Sequence, residues 1–172
     1  HWLPRACHHF PHLAKFTPAQ VAAAARRVSP SFIRVEADEV TYDLHIILRF
    51  EIERRIVNGD LAIADIPAAW NEKFRELLGL TVPDNARGCL QDIHWSFAGF
   101  GYFATYTLGN LNASQLMRAA RTARPSLDAE LGRGEYNTLL SWLRENIHAP
   151  GRRFTAPELM RHATGETTQA AY

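Results

Sequence analysis

The chain has 172 residues, 47% of them hydrophobic, which suffices for a core and argues against disorder. Its 19 Lys and Arg against 18 Asp and Glu give a net charge of +1, so nothing marks a nucleic-acid binder or a membrane-surface binder. Cys7 and Cys89 are too few for a disulfide scaffold and fit a reducing, cytoplasmic compartment, and the apolar runs are too short to span a bilayer. The sequence begins at His1 rather than Met and carries no signal-peptide pattern, so it reads as cut from something longer.

Residues 1–16, with Pro4, Pro11 and four histidines, read as an irregular, solvated lead-in; His8 and His9 are adjacent and would diverge by about 100° on a helix, which argues against a shared metal. Thr17-Pro18 opens a helix as cap and first turn, and Ser29-Pro30 closes it. From about residue 35 to 57, Ala37, Val40, Leu44, Leu48, Ile52 and Ile56 recur at helical spacing, and Ile46, Phe50 and Val57 mark a second apolar side. Asn58-Gly59 ends this helix. Asp65-Ile66-Pro67 starts the next, with Trp70, Phe74, Leu77 and Leu78 as its stripe and Gly79 as its stop. Residues 81–88 are a loop, followed by a short segment over 90–95. A helix is expected from about Ala104 to Arg121, another along Leu139, Leu140, Leu143 and Ile147 as far as Pro150-Gly151, and a last one from Thr155 to Gly165. No stretch alternates with period two, so the fold is expected to be all-α, with no internal boundary across 1–172.

Three groups of residues exceed what a helical core needs. Asp38, Tyr42, His45 and Arg49 fall within about 60° of one another on a helix, opposite the apolar stripe. They suit either a solvated face or a wall on which a carboxylate orients a His or Arg; Arg34, one turn earlier, could join and offers a two-pronged donor for a carboxylate. Gly88-Cys89-Leu90-Gln91-Asp92-Ile93-His94-Trp95 places an Asp near a His, which serves acid–base or oxyanion chemistry or simply ties a loop to the core. Gly99-Phe100-Gly101-Tyr102-Phe103-Ala104-Thr105-Tyr106 allows close backbone approach and can present phenolic O–H groups, or can be aromatic packing. There is no H-E-x-x-H, phosphate loop, G-x-S-x-G or dinucleotide fingerprint.

Together these groups are more specific. Ile33-Arg34-Val35-Glu36-Ala37-Asp38 fits I-R-x-x-A-D and residues 88–95 fit G-x-x-Q-D-x-H-W; in this order they resemble the carboxypeptidase Taq family of zinc metallocarboxypeptidases. The text over 101–110, 142–148 and 163–166 agrees, and Ala104 departs from the family's usual proline. The resemblance implies the C-terminal helical portion of a larger, mainly α-helical peptidase with a deep cleft. That enzyme would remove single residues from peptide C-termini with broad specificity. Its zinc, or another divalent metal, would be bound by an H-E-x-x-H helix and a glutamate that this sequence lacks, so the chain alone is expected to bind no metal and to be inactive. Peptides with a free C-terminus and a homodimer are the implied partners. The resemblance assigns His94 and Tyr106 as oxyanion donors, with Tyr102 as the alternative tyrosine, and Arg34 as the grip on the substrate carboxylate. Asp38 would orient Arg34 or cap a helix. Gln91, Asp92 and Trp95 would shape the cleft and fix the His94 tautomer, and His45 and Arg49 would line it or support its lining from behind. A helical peptide-binding module that has lost catalysis is the competing expectation.

Overall fold

A computed structural model describes residues 2–171, and among them every regular element is helical. The eight α-helices are α1 (Leu3–His9), α2 (Pro18–Ala25), α3 (Tyr42–Val57), α4 (Ile66–Leu78), α5 (Ala104–Ala123), α6 (Leu127–Gly132), α7 (Asn137–Leu143) and α8 (Ala156–Thr164). Short 3-10 turns cover Pro11–Lys15, Arg34–Glu36, Ile63–Asp65, Trp95–Phe97 and Gly151–Arg153. The all-α expectation holds. The lead-in is nevertheless helical over α1, where Pro4 sits in the first turn, and α6 has no counterpart among the expected elements. The chain divides into two compact units, one of residues 19–107 and one of residues up to 18 together with those from 108 onward.

In the 19–107 unit, α3 and α4 bury Leu48, Ile52, Ala69, Trp70, Phe74 and Leu78 with Leu61 and Val82. The apolar spacing of both helices puts these residues on one side, and their burial drives the pairing. Gly79, at φ +71°, ends α4 in the left-handed region, as its place after the apolar stripe suggests. Two details of α3 differ. Its regular turns begin at Tyr42 rather than near residue 35, because Asp38 accepts hydrogen bonds from the N–H groups of Val40 and Thr41, at 2.9 Å each, and so starts the helix from outside. Of its second apolar side only Ile46 is buried; Phe50 and Val57 are exposed.

The other unit is centred on Ala120, Leu127 and Trp142, with Leu116, Met117, Leu139 and Leu143 packed around them. Trp142 is its anchor, whereas Leu140 is exposed. After α7 the chain widens into a π-type turn over Arg144–His148, with the Ala149 N–H bonded to the Arg144 carbonyl at 2.8 Å. Helix α8 carries a capping box: the Thr155 N–H and hydroxyl both donate to Glu158. Gln115 of α5, 3% exposed, donates to the Thr164 hydroxyl at 2.9 Å and accepts from the Gln169 N–H at 3.1 Å, which straps the segment after α8 onto α5.

Candidate active-site residues

The polar stripe of α3 points inward. His45 and Arg49 are 0% exposed, so the solvated-face alternative is excluded for both. Their counterpart arrives from the loop before the Trp95–Phe97 turn. Asp92 accepts from Arg34 through Nε at 3.2 Å and Nη2 at 2.7 Å, and from Arg49 through Nε at 2.6 Å. One carboxylate thus bridges two guanidiniums, each oxygen serving one arginine. Arg34 also donates through Nη1 to the Tyr42 hydroxyl at 3.0 Å, and Arg49 through Nη1 to the His45 carbonyl at 2.8 Å.

Burial pushes the Asp92 carboxyl upward, but the hydrogen bond from Arg34 and the charge of Arg49 outweigh it and hold Asp92 below the usual carboxylate range. Burial dominates at Arg49 and pulls it down to about 10 despite Asp92. At Arg34 burial again works downward, yet its bonds to Asp92 and Tyr42 win and its affinity for the proton rises. His45, enclosed and next to Arg49 and Arg34, is pushed down to about 4 and is therefore neutral near pH 7.

His94 follows Asp92 by two residues and lies at the same place. Its Nε2 is 3.2 Å from the Tyr106 hydroxyl, and its ring centroid is 4.4 Å from that of Phe103. The Arg34 guanidinium lies 5.0 Å from the centre of the Tyr106 ring. Arg34, His94 and Tyr106, far apart in sequence, therefore converge. Tyr102 stands beside them, 51% exposed, with its ring 5.6 Å from His94. The turn that carries Tyr102 needs its glycines: a Cβ at Gly99 would lie 2.6 Å from the Phe97 ring and 2.9 Å from the His94 carbonyl oxygen.

Several sequence expectations are revised by this geometry. Asp38 does not orient Arg34; its carboxylate caps α3, accepting from the Ser29 N–H first, then from Thr41 and Val40, and is held at about 2. Asp92 does not fix the His94 tautomer by a hydrogen bond, because Nδ1 is 3.8 Å from Oδ1 and the carboxylate is taken by arginines. Of the two places expected for His45 and Arg49, on the cleft lining or behind it, their full burial leaves the second, from which Arg49 holds Asp92. Gln91 ties backbone to backbone: it accepts from the Arg34 N–H at 3.0 Å and donates to the Phe32 carbonyl at 3.1 Å. Trp95 packs edge-on against Trp70 and Phe103. Sequence reasoning passes over Glu53, which is 3% exposed and accepts from the Gly101 N–H at 2.6 Å. Its signal is present in the chain, since it continues the stripe four residues beyond Arg49.

Residues 2–172 match the sequence profile described as carboxypeptidase Taq (M32) metallopeptidase. The chain belongs to that family. It is 44% identical to the thermostable carboxypeptidase 1 of Thermus thermophilus over 98% of its own length and 33% of the relative's, and 44% identical to the carboxypeptidase 1 of Bacillus subtilis over 87% and 30%. It superposes on the M32 carboxypeptidase of Deinococcus radiodurans R1 with a TM-score of 0.94 at 41% identity, covering 99% of this chain and 35% of that one. For the metallocarboxypeptidase 1 of Trypanosoma cruzi the values are 0.91 and 40%, covering 97% and 35%. The chain thus spans about a third of the length of the relatives it matches.

The family is one of metal-dependent carboxypeptidases, and a metal ion requires several ligating side chains at one point. Among the described residues no three His, Cys, Asp or Glu side chains come together to hold an ion. At the convergence itself, His94 faces Asp92 at 3.8 Å, but the two oxygens of that carboxylate already serve arginines. The described residues around Asp92 therefore do not fit a metal, and their chemistry is that of hydrogen-bond donors and charges. Among the described residues no helix is long and apolar enough to cross a membrane.

Proposed function

We propose that this chain supplies the hydrogen-bonding side of the active site of a longer carboxypeptidase that removes single residues from peptide C-termini with broad specificity. The observation that supports this most is the convergence of Arg34, His94 and Tyr106 around the bridged Asp92. Zinc or another divalent metal is held by segments outside this chain, and the 172-residue chain alone is inactive.

Each residue does a definite job in this reading. Addition of a nucleophile to a peptide carbonyl places negative charge on its oxygen, and prepositioned donors stabilise that charge by about 2.7–4 kcal/mol each. His94 Nε2 and the Tyr106 hydroxyl lie 3.2 Å apart. With the Nε2 proton donated to the phenol oxygen, the phenolic O–H is free to donate to the developing oxyanion. Tyr102, exposed beside the pair, is the alternative donor. Arg34 recognises the C-terminal carboxylate: two guanidiniums share one carboxylate, and the excess positive charge sits next to Tyr106. Three of the donor positions of Arg34 already bind Asp92 and Tyr42, which fixes its plane before a substrate arrives. A cytoplasmic setting fits the free thiols of Cys7 and Cys89.

The test uses the longer enzyme carrying this sequence and a blocked dipeptide. Tyr106→Phe and His94→Ala should each lower kcat by about 10²–10³, while Arg34→Met should mainly raise KM. Unchanged kcat in both of the first two variants would refute the donor pair. Hydrolysis by the isolated 172-residue chain supplied with zinc would refute the division of the site.

A further inference from the structure

We propose that Glu53 is a positioning residue, which from helix α3 fixes the glycine-rich turn that sets Tyr106 opposite His94. This inference rests on the donor-pair reading and adds to it the group that holds the pair in register.

The observation is a buried carboxylate with an unusual partner. Glu53 is 3% exposed, and its Oε1 accepts the Gly101 N–H at 2.6 Å, while Oε2 has no hydrogen-bond partner among the described residues. A carboxylate buried on one main-chain donor is a costly way to fill space, and an apolar side chain would fill it at less expense. What Glu53 provides instead is a short, directional hold on one point of the loop.

That point needs a hold. Between His94 and Tyr106 the chain passes through Ala98 at φ +60° and Gly101 at φ +80°. The left-handed conformation at Ala98 is unfavourable by about 1–2 kcal/mol, so the turn persists only because its surroundings enforce it. Just after Ala98 the Gly99 N–H donates back to the His94 carbonyl at 2.8 Å. Two residues further on, Gly101 is held by Glu53. Helix α5 begins at Ala104, and its first turn carries Tyr106, whose N–H is bonded to the Phe103 carbonyl at 3.1 Å. A shift of Gly101 therefore carries directly into the position of the Tyr106 hydroxyl.

Helix α3 grips the same loop twice. Arg49 takes Asp92, two residues before His94, and Glu53, one helical turn along, takes Gly101, five residues before Tyr106. The two members of the donor pair are thus referenced to one rigid helix, each through its own clamp. A third tie, from the Thr107 hydroxyl to Asp43 at 2.7 Å, reaches the start of α3.

Two measurements test this. In the longer enzyme, Glu53→Ala should lower kcat by about ten- to a hundredfold with KM within about threefold, as expected for a donor displaced by around an ångström. Glu53→Gln keeps the carbonyl acceptor and should recover kcat to within about threefold of the parent. Glu53→Ala without effect on kcat, in an enzyme that Tyr106→Phe impairs, would overturn the proposal, as would a Glu53→Gln variant as poor as Glu53→Ala. Should Tyr106→Phe be silent, the donor-pair reading fails, and the second measurement still decides what Glu53 does. In the 172-residue chain the Gly101 amide should exchange slowly with solvent in the parent and in Glu53→Gln. It should exchange at least about tenfold faster in Glu53→Ala, with α4 unchanged. A Gly101 amide that exchanges fast in the parent chain overturns the proposal even if Glu53→Ala does not fold.

Discussion

Replacing Asp92 by Asn probes the electrostatic centre of the 19–107 unit. The substitution preserves shape and removes one charge. It leaves the guanidinium of Arg49, with a side chain 0% exposed, and that of Arg34, 8% exposed, without their shared counter-ion. Removing one partner of a buried ion pair costs about 3–5 kcal/mol, mostly through the uncompensated charge that remains. Asn retains one acceptor oxygen, which offsets part of the lost hydrogen bonding, so the loss should lie near the lower figure, about 3 kcal/mol. Because two compact units are present, a global unfolding midpoint would mix their contributions; exchange of the buried amides of α3 and α4 reports on the affected unit alone. The partner variant is Arg49→Met, which removes the most deeply buried charge. In the Asp92→Asn background it should return at least about 1 kcal/mol, because the two sites are directly coupled. A loss below about 1 kcal/mol for Asp92→Asn, or additive effects in the double variant, would refute the view that Asp92 holds the arginines.

Acid should weaken the same unit through His45. A histidine pushed down from 6.5 to about 4 in the folded chain binds its proton less readily than in the unfolded chain, so stability falls as pH drops from about 6.5 to 4. The shift corresponds to a loss on the order of 3 kcal/mol. His45→Phe should flatten that part of the pH profile, which urea unfolding at a series of pH values would show; an unchanged slope counts against it. Asp38→Ala should lower the melting temperature and Asp38→Asn should restore part of it, because the carboxylate acts as a cap; calorimetry at pH 7 would show whether Asn rescues. Ala98→Gly relieves a left-handed residue and should leave stability within about 1 kcal/mol of the parent or raise it, whereas Gly99→Val meets the Phe97 ring and the His94 carbonyl and should cost more than about 1 kcal/mol. Equal midpoints for these two variants would contradict the turn geometry.

Helices α3, α4, α5 and α8 are legible in the sequence because their apolar spacing and terminal residues agree, as with Asp65-Ile66-Pro67 and Gly79 around α4. The start of α3 is misleading because Ala37 and Val40 have helical spacing by coincidence, while the signal that decides is the Asp38 carboxylate bonding ahead of itself. Helix α6, with six residues, is too short to show a period, and α1 carries no acidic first turn to announce it. In the site, the stripe 38–42–45–49 is visible, but not whether it meets water or a partner. That depends on Asp92, 43 residues beyond Arg49, and such pairings leave no trace in local spacing. The motifs carry the convergence of Arg34, His94 and Tyr106, while the fixing of the Arg34 plane by Asp92 and Tyr42 emerges only from the geometry.

The most direct test of the donor pair compares two inhibitors of the longer enzyme, a phosphonate peptide that mimics the tetrahedral intermediate and a ground-state peptide of the same sequence. Tyr106→Phe should weaken the phosphonate by the same factor as kcat/KM, about 10²–10³, and leave the ground-state peptide unchanged. Equal losses for both inhibitors, or none for the phosphonate, would contradict it.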